Sequence, residues 1–417
     1  MQNLDAIASE CCPDHKNLYA EESVYQSIKT RVGIELTGLA NSFIPLAKPS
    51  FSKLEVETVR KFLESGWVSQ GPITRRFEDA FGKYIGSQYA VAANSCTSAL
   101  HVALLAAGVG KGDKVIVPDF TFPATANAVL YAGAKPIIID VDQESMAIDP
   151  NLVKEHMSDG VKAIIPVHPF GDAADLNSLR KVAEDNSCQV IEDAATAIGT
   201  MINGQKVGAT GNLCCFSFHG RKVISTGEGG MVTTNDRMQA ERVRSLISHG
   251  QSIPAWPRGR RMFVLPEFKT LGFNYRMSDI QAAIGLTQLK KVERFIRKRR
   301  VLANLYAKMI AEGNLPVRTP KGRTNVRHVY QSYVIALEAR LPRNEVISKL
   351  RARGIECTIG TYSLSNLPLF RKEWSGKCPV GDQLFRNTIA LPLYTEMTSE
   401  HVKRVLDVLA EILHKFR

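Results

Sequence analysis

Several chemistries are missing from this sequence. Its eight cysteines, Cys11, Cys12, Cys96, Cys188, Cys214, Cys215, Cys357 and Cys378, form no C-x-x-C pair and several fall within apolar runs, so they read as reduced, mostly buried small hydrophobes. That usage places the chain in the cytoplasm. No histidine pair has metal-ligand spacing and no G-x-S-x-G elbow occurs. Gly110-Lys111 is followed by Gly112 rather than Ser or Thr and lacks the upstream glycine, which excludes a phosphate-binding loop of the Walker type. No apolar run approaches the length of a membrane span, and the opening MQNLDAIASECCPDHK is acidic and polar where a signal peptide is basic and then apolar. No internal repeat or low-complexity tract is present. A soluble protein without metal or membrane partner is the expectation.

What is present is an ordinary globular composition. With 417 residues, 44% of them apolar, the chain can bury a large core. The net charge of +12 arises from 53 basic against 41 acidic residues. Its densest basic run, Arg294 to Arg300, contains one aromatic, Phe295, and reads as a solvated helix face rather than a nucleic-acid patch. Residues 1–43 show little pattern beyond a possible helix near Glu22 to Leu39 and read as an N-terminal extension. From Ile44 the texture changes. Lys114–Pro118, Pro136–Val141, Ala163–Val167, Gln189–Glu192 and Cys214–Phe218 are short apolar runs separated by helical stretches such as Thr97–Ala107 and Leu176–Glu184. Continuous apolar strands alternating with helices predict an α/β fold with a mostly parallel sheet covered on both faces. A helical pattern from Ser278, a plausible N-cap, to Ile310 links this large domain (44–290) to a smaller C-terminal α+β domain (291–417). There Ser332–Ala336 reads as a strand, and Asn344–Arg353 and Ser399–Lys415 as helices.

The polar residues gather just past the C-terminal ends of the strands, where open α/β sheets bind ligands. Lys222 follows the apolar run Cys214–Phe218, and Asp193 closes the run that precedes it. An amine and a carboxylate delivered by neighbouring strand ends suit pyridoxal 5'-phosphate (PLP), whose aldehyde needs the first and whose ring nitrogen needs the second. A buried acidic pair, Glu192-Asp193, would otherwise be costly without a cation. Asn94-Ser-Cys-Thr-Ser is a polar turn opening into a helix. Free N–H groups and the helix dipole can make it a phosphate cradle to which Ser95 and Thr97 add hydroxyls, although for the segment in isolation a simple helix cap is the favoured reading. Phe122, just beyond a strand end, can lie against a heteroaromatic ring or pack in the core. Ser217 can reach the phosphate from the lysine's own strand. His219 is assigned no catalytic part.

In this order the segments resemble the DegT/DnrJ/EryC1/StrS family of PLP-dependent sugar aminotransferases. The resemblance extends from Ile44 to the C-terminus through Ser65–Pro72, the Cys96-Thr97 turn, Val117–Asn127, Ile191–Ala195, the Lys222 segment through Gly230, and Gly272–Gln281. It implies the fold type I, aspartate aminotransferase-like, architecture. It makes Lys222 the Schiff-base lysine, Asp193 the ring-nitrogen partner and Phe122 the stacking residue. Cys96, Thr97 and Ser217 would hold the phosphate, with Asn274 reaching it from the neighbouring subunit of a homodimer. Tyr362, in Gly360-Thr-Tyr362, would line the sugar-nucleotide pocket. Two positions depart from the family pattern: Cys96 stands where glycine is common, and Thr196 where Gln, His or Glu borders the cofactor. The implied reaction moves an amino group from L-glutamate to a keto-sugar, most readily a nucleotide-linked 4-keto-6-deoxyhexose. A dehydratase of the same family, which commonly carries histidine at the lysine position, and a non-catalytic PLP-binding regulatory protein are the alternatives.

Overall fold

The computed structural model describes residues 43–252 and 265–416. The possible helix near Glu22 to Leu39, Cys11 and Cys12 lie outside them. Residues 44–417 form one compact unit. Its strands in chain order are β1 (Tyr89–Ala93), β2 (Lys114–Pro118), β3 (Phe120–Thr121), β4 (Lys135–Ile139), β5 (Val161–Ile164), β6 (Gln189–Asp193), β7 (Met201–Ile202), β8 (Gln205–Lys206), β9 (Leu213–Ser217) and β10 (Gly230–Thr234). They are followed by β11 (Val317–Arg318), β12 (Val326–Arg327), β13 (Tyr333–Leu337), β14 (Thr358–Ile359), β15 (Tyr362–Ser363) and β16 (Thr388–Leu391).

Seven strands build the principal sheet in the order β1-β10-β9-β6-β5-β2-β4. β9, β6, β5, β2 and β4 run parallel to one another, while β10 is antiparallel to both β1 and β9. Helices Cys96–Ala106, Ala124–Tyr131 and Arg237–Leu246 contribute to the core on one face. On the other, Pro72–Ile85 and Asp279–Leu289 close over a cluster of Phe77, Phe81, Phe216 and Phe218. All four rings are fully buried, and each contributes about 2–3 kcal/mol of transfer free energy. The expected α/β sheet is therefore present. A second, antiparallel sheet, β11-β13-β16-β14, packs on Val292–Glu312 and Ser399–His414 through Tyr306, Tyr333, Ile335, Val402 and Leu409.

Two expectations are corrected. The pattern from Ser278 to Ile310 is two helices, Asp279–Leu289 and Val292–Glu312, broken at Lys290-Lys291. The first packs on Phe77 with its glycine, Gly285, against the ring, and the second turns its later apolar positions toward the antiparallel sheet. One straight helix cannot serve both cores. Ser278 does cap the first helix, in a capping box with Gln281. The Arg294–Arg300 run is not uniformly solvated, because Arg299 is buried and its guanidinium donates to the carbonyls of Gln331 (3.0 Å), Leu393 (3.0 Å) and Tyr330 (3.3 Å).

Candidate active site

Strands β6 and β9 are parallel neighbours, with Asp193 in register with Cys215. Both end on the same edge of the sheet. Asp193 therefore emerges beside the chain that continues from Ser217 into the turn carrying Lys222, whose N–H bonds the carbonyl of His219 (2.9 Å). The Lys222 amine lies within electrostatic reach of Asp193 and Cys96. Burial pulls its pKa down from the ordinary lysine value, and the Asp193 carboxylate offsets part of the drop. A less costly deprotonation is what a nucleophilic amine needs.

Asp193 is 5% exposed. Burial pushes its carboxyl up. Hydrogen bonds from the Thr125 hydroxyl to Oδ2 (2.8 Å) and from the Ala195 N–H to Oδ1 (3.1 Å), with the positive charge of Lys222, work the other way. The other member of the acidic pair, Glu192, points elsewhere. It accepts from Thr210 (2.6 Å), Asn212 (2.9 Å) and His168 Nε2 (3.4 Å). Burial alone would raise its pKa, but these donors outweigh it and hold it low. His168 Nδ1 accepts the Ala174 N–H (3.1 Å), so the ring proton sits on Nε2 and faces Glu192. Only Asp193 of the pair is thus left toward the strand ends.

The candidate phosphate cradle is the N-terminus of Cys96–Ala106. Ser95 caps this helix by accepting from Ser98 N (3.1 Å), leaving the N–H groups of Cys96 and Thr97 at its open end. The capping reading of the segment therefore holds. Gly230, the first residue of β10, lies against this turn: a Cβ there would come within 2.3 Å of the Ser95 carbonyl oxygen. Its partner in register is Ser217, so the strand pairing brings Ser217 to the cradle. Cys96 is buried, and burial raises its thiol well above the ordinary range, leaving a neutral side chain beside the two N–H groups.

Phe122 is 63% exposed beyond β3, with the ring of Tyr362 edge-on at 6.1 Å. That contact arises because β15 pairs with β3, Tyr362 opposite Thr121. Thr196 donates to the carbonyl of His168 (2.6 Å), so its hydroxyl proton is already committed to the protein. Asn274 is exposed, and among the described residues its side chain has no hydrogen-bond partner. Its backbone bridges to Ser248. The donor set fits PLP: N–H groups and hydroxyls for a dianion, a buried carboxylate for a ring nitrogen, an amine for an aldehyde and an open aromatic face for the ring. Thr125, His168 and Gln331, which donates to the Arg221 carbonyl next to Lys222 (2.9 Å), were not singled out from sequence. Thr125 lay within the quoted Val117–Asn127 segment, but its partner depends on strand order.

The profile of the DegT/DnrJ/EryC1/StrS aminotransferase family matches residues 49–410. The chain belongs to that family. Among its relatives are the spore coat polysaccharide biosynthesis protein SpsC of Bacillus subtilis, 35% identical over 388 residues, and the GDP-perosamine synthase of Caulobacter vibrioides, 35% identical over 373. Each match covers 89% of this chain and 98% of the relative. The solved structure of Spr1654 from Streptococcus pneumoniae, assigned as a sugar aminotransferase and determined in its PLP form, superposes with a TM-score of 0.84 at 26% identity. It covers 90% of this chain and 100% of that one. As a member of the DegT/DnrJ/EryC1/StrS family the protein is a PLP-dependent aminotransferase of fold type I, with pyridoxal phosphate as its cofactor. No helix among the described residues is long and apolar enough to cross a membrane.

Proposed function

We propose that the protein transfers an amino group from L-glutamate to a nucleotide-linked keto-sugar, most readily a 4-keto-6-deoxyhexose, in the biosynthesis of an amino sugar. The observation that carries this reading is the convergence at one sheet edge of Lys222, Asp193 and the Ser95–Thr97 turn, with Phe122 and Tyr362 open beside them. The kinship with a GDP-perosamine synthase supports the substrate class. Bound here, PLP supplies an aldehyde that accepts the amino group and a ring that takes up the electron pair left when the donor's α-proton departs.

The chain's own residues do the rest. The N–H groups of Cys96 and Thr97 and the hydroxyls of Thr97 and Ser217 fix the phosphate, and Phe122 packs on the ring. Asp193 holds the ring nitrogen protonated. Lys222 would anchor the aldehyde and, once freed by the incoming glutamate, would serve as the base that takes the proton from the donor's α-carbon and the acid that gives it back, with water hydrolysing the C=N bond to release 2-oxoglutarate. The same lysine returns a proton to the sugar carbon in the second half. Tyr362, held beside Phe122 by β15, meets the sugar nucleotide, and Asn274 serves the site of a second copy in a homodimer. In this scheme residues 44–290 carry the cofactor and 291–417 close over the substrate.

The test has two parts. Borohydride reduction of the holoenzyme followed by peptide mapping is expected to leave the cofactor on Lys222. Incubation with glutamate and a panel of nucleotide-linked keto-sugars is expected to give an amino sugar, identified by mass and NMR, with stoichiometric 2-oxoglutarate. Cofactor on another lysine, or glutamate consumed with release of a deoxygenated sugar, overturns the reading.

A further inference from the structure

Asp193 is held by two donors of different kinds. One is the Ala195 N–H, set by the backbone; the other is the Thr125 hydroxyl, a side chain from another element, at 2.8 Å. Thr125 is fully buried in the first turn of the helix Ala124–Tyr131, and Thr121 on β3 lies behind it with the two hydroxyls 3.2 Å apart. An ionised carboxylate only accepts. The Thr125 proton must then point at Asp193, which leaves its lone pair to accept from Thr121. The chain of donors runs one way, from Thr121 to Thr125 to Asp193. Thr121 is also the residue opposite Tyr362 in the β3-β15 pair, and Phe122 stands between Thr121 and Thr125 in sequence. One short segment, 120–125, therefore sets Phe122 beside Tyr362, holds the Tyr362 strand and reaches the aspartate.

We propose that Thr125 is a positioning residue for the reaction: its hydroxyl aims one oxygen of Asp193 and keeps the carboxylate ionised toward the ring nitrogen, a role that rests on the reading of Asp193 given above. The other charged or titratable groups within electrostatic reach of the carboxylate are Lys222 from the turn after β9, His168 from the chain after β5, Cys96 at the helix opening, and Cys214 and Cys215 on β9. Among the described residues the hydroxyl of Thr125 is the side-chain group that hydrogen-bonds the carboxylate. Without that donor, burial would favour the protonated acid, which cannot balance a protonated ring nitrogen.

The experiment uses the PLP holoenzyme of the wild type, Thr125→Val, which exchanges hydroxyl for methyl at nearly constant shape, and Thr125→Ser, which keeps the donor. Three quantities are read: the pH midpoint of the bound cofactor's visible absorbance, and the kcat and KM of the glutamate half-reaction. A ring nitrogen less firmly protonated withdraws less charge from the nitrogen joining Lys222 to the cofactor. In Thr125→Val the midpoint is expected to move up by about one pH unit, the scale of a lost charge-assisted hydrogen bond. In the same variant kcat is expected to fall about tenfold with KM within about twofold, and Thr125→Ser to restore both. A purely packing role would leave the midpoint in place. If Thr125→Val does not fold, Thr125→Ala removes the same donor and is read in the same way. Wild-type midpoint and kcat in a folded variant overturn the proposal alone, whereas reductive capture of the cofactor away from Lys222 in the wild type overturns both it and the reading beneath it.

Discussion

Asp193 shows how much one buried carboxylate decides. On the function proposed above, Asp193→Asn keeps the shape and an oxygen for Thr125 but removes the charge that would hold the ring nitrogen protonated. Losing a buried charged partner costs on the order of 3–5 kcal/mol, or roughly two to four decades in rate where the loss falls wholly on the transition state. The α-proton transfer is expected to slow by that much in stopped-flow with glutamate, while cofactor affinity changes far less. Near-normal turnover would place the ring-nitrogen partner elsewhere. Lys222 and Asp193 were legible in the sequence because the chemistry demands their residue types at strand ends. Thr125, His168 and Gln331 were not, because their roles exist only once β5, β6 and β9 lie side by side and the chain after β12 returns to the lysine turn. The acidic pair was half legible: its need for a partner was plain, but Glu192 finds that partner in His168, Thr210 and Asn212 on the protein itself.

The short stretch after β12 shows what a single element can transmit. His328 Nδ1 accepts the Tyr330 N–H (2.8 Å), its ring stacks on Tyr330 at 3.9 Å, and Gln331 next along donates to the carbonyl beside Lys222. Burial pulls the His328 pKa down to about 4, so the folded protein holds the neutral ring. A depressed folded pKa means that the unfolded chain binds the proton first. The stability this group contributes is complete above its ordinary value of 6.5 and is lost as pH falls toward 4. Between pH 7 and pH 5 the loss is about 2 kcal/mol. Urea unfolding is expected to show the wild type losing that much more stability over this interval than His328→Phe, which keeps the stack and cannot titrate. Equal losses would assign the acid sensitivity to other groups. Element boundaries in the principal sheet followed the apolar runs closely, Lys114–Pro118 without change. β1 and β10 did not stand out, since Tyr89–Ala93 is rich in alanine and Gly230–Thr234 opens on glycine, both poor strand formers. The break at Lys290-Lys291 was hidden for a different reason: helical periodicity continues through it, and only the presence of two cores requires it.

For the whole molecule, the open question is whether one chain makes a complete site. Asn274 is exposed, and large apolar side chains near it in sequence, Leu271 at 81% and Phe268 at 60%, are exposed too, as a surface covered by a second copy would be. If Asn274 contacts the cofactor phosphate of its partner, each site combines Lys222 from one chain with Asn274 from the other. Lys222→Ala and Asn274→Asp homodimers are then both impaired, the second because a carboxylate faces the phosphate at close range. In a hybrid of the two, one site carries both lesions and the other carries neither. Refolding an equal mixture gives hybrids as about half of all dimers when pairing is random, so activity is expected to recover to about one quarter of the wild-type value per total site, well above either parent. Differential tags isolate the hybrid and allow the count to be checked. Hybrids that form and stay inactive would mean that Lys222 and Asn274 serve one site from one chain, and the shared-site arrangement would fall while the chemistry assigned to Lys222 stood.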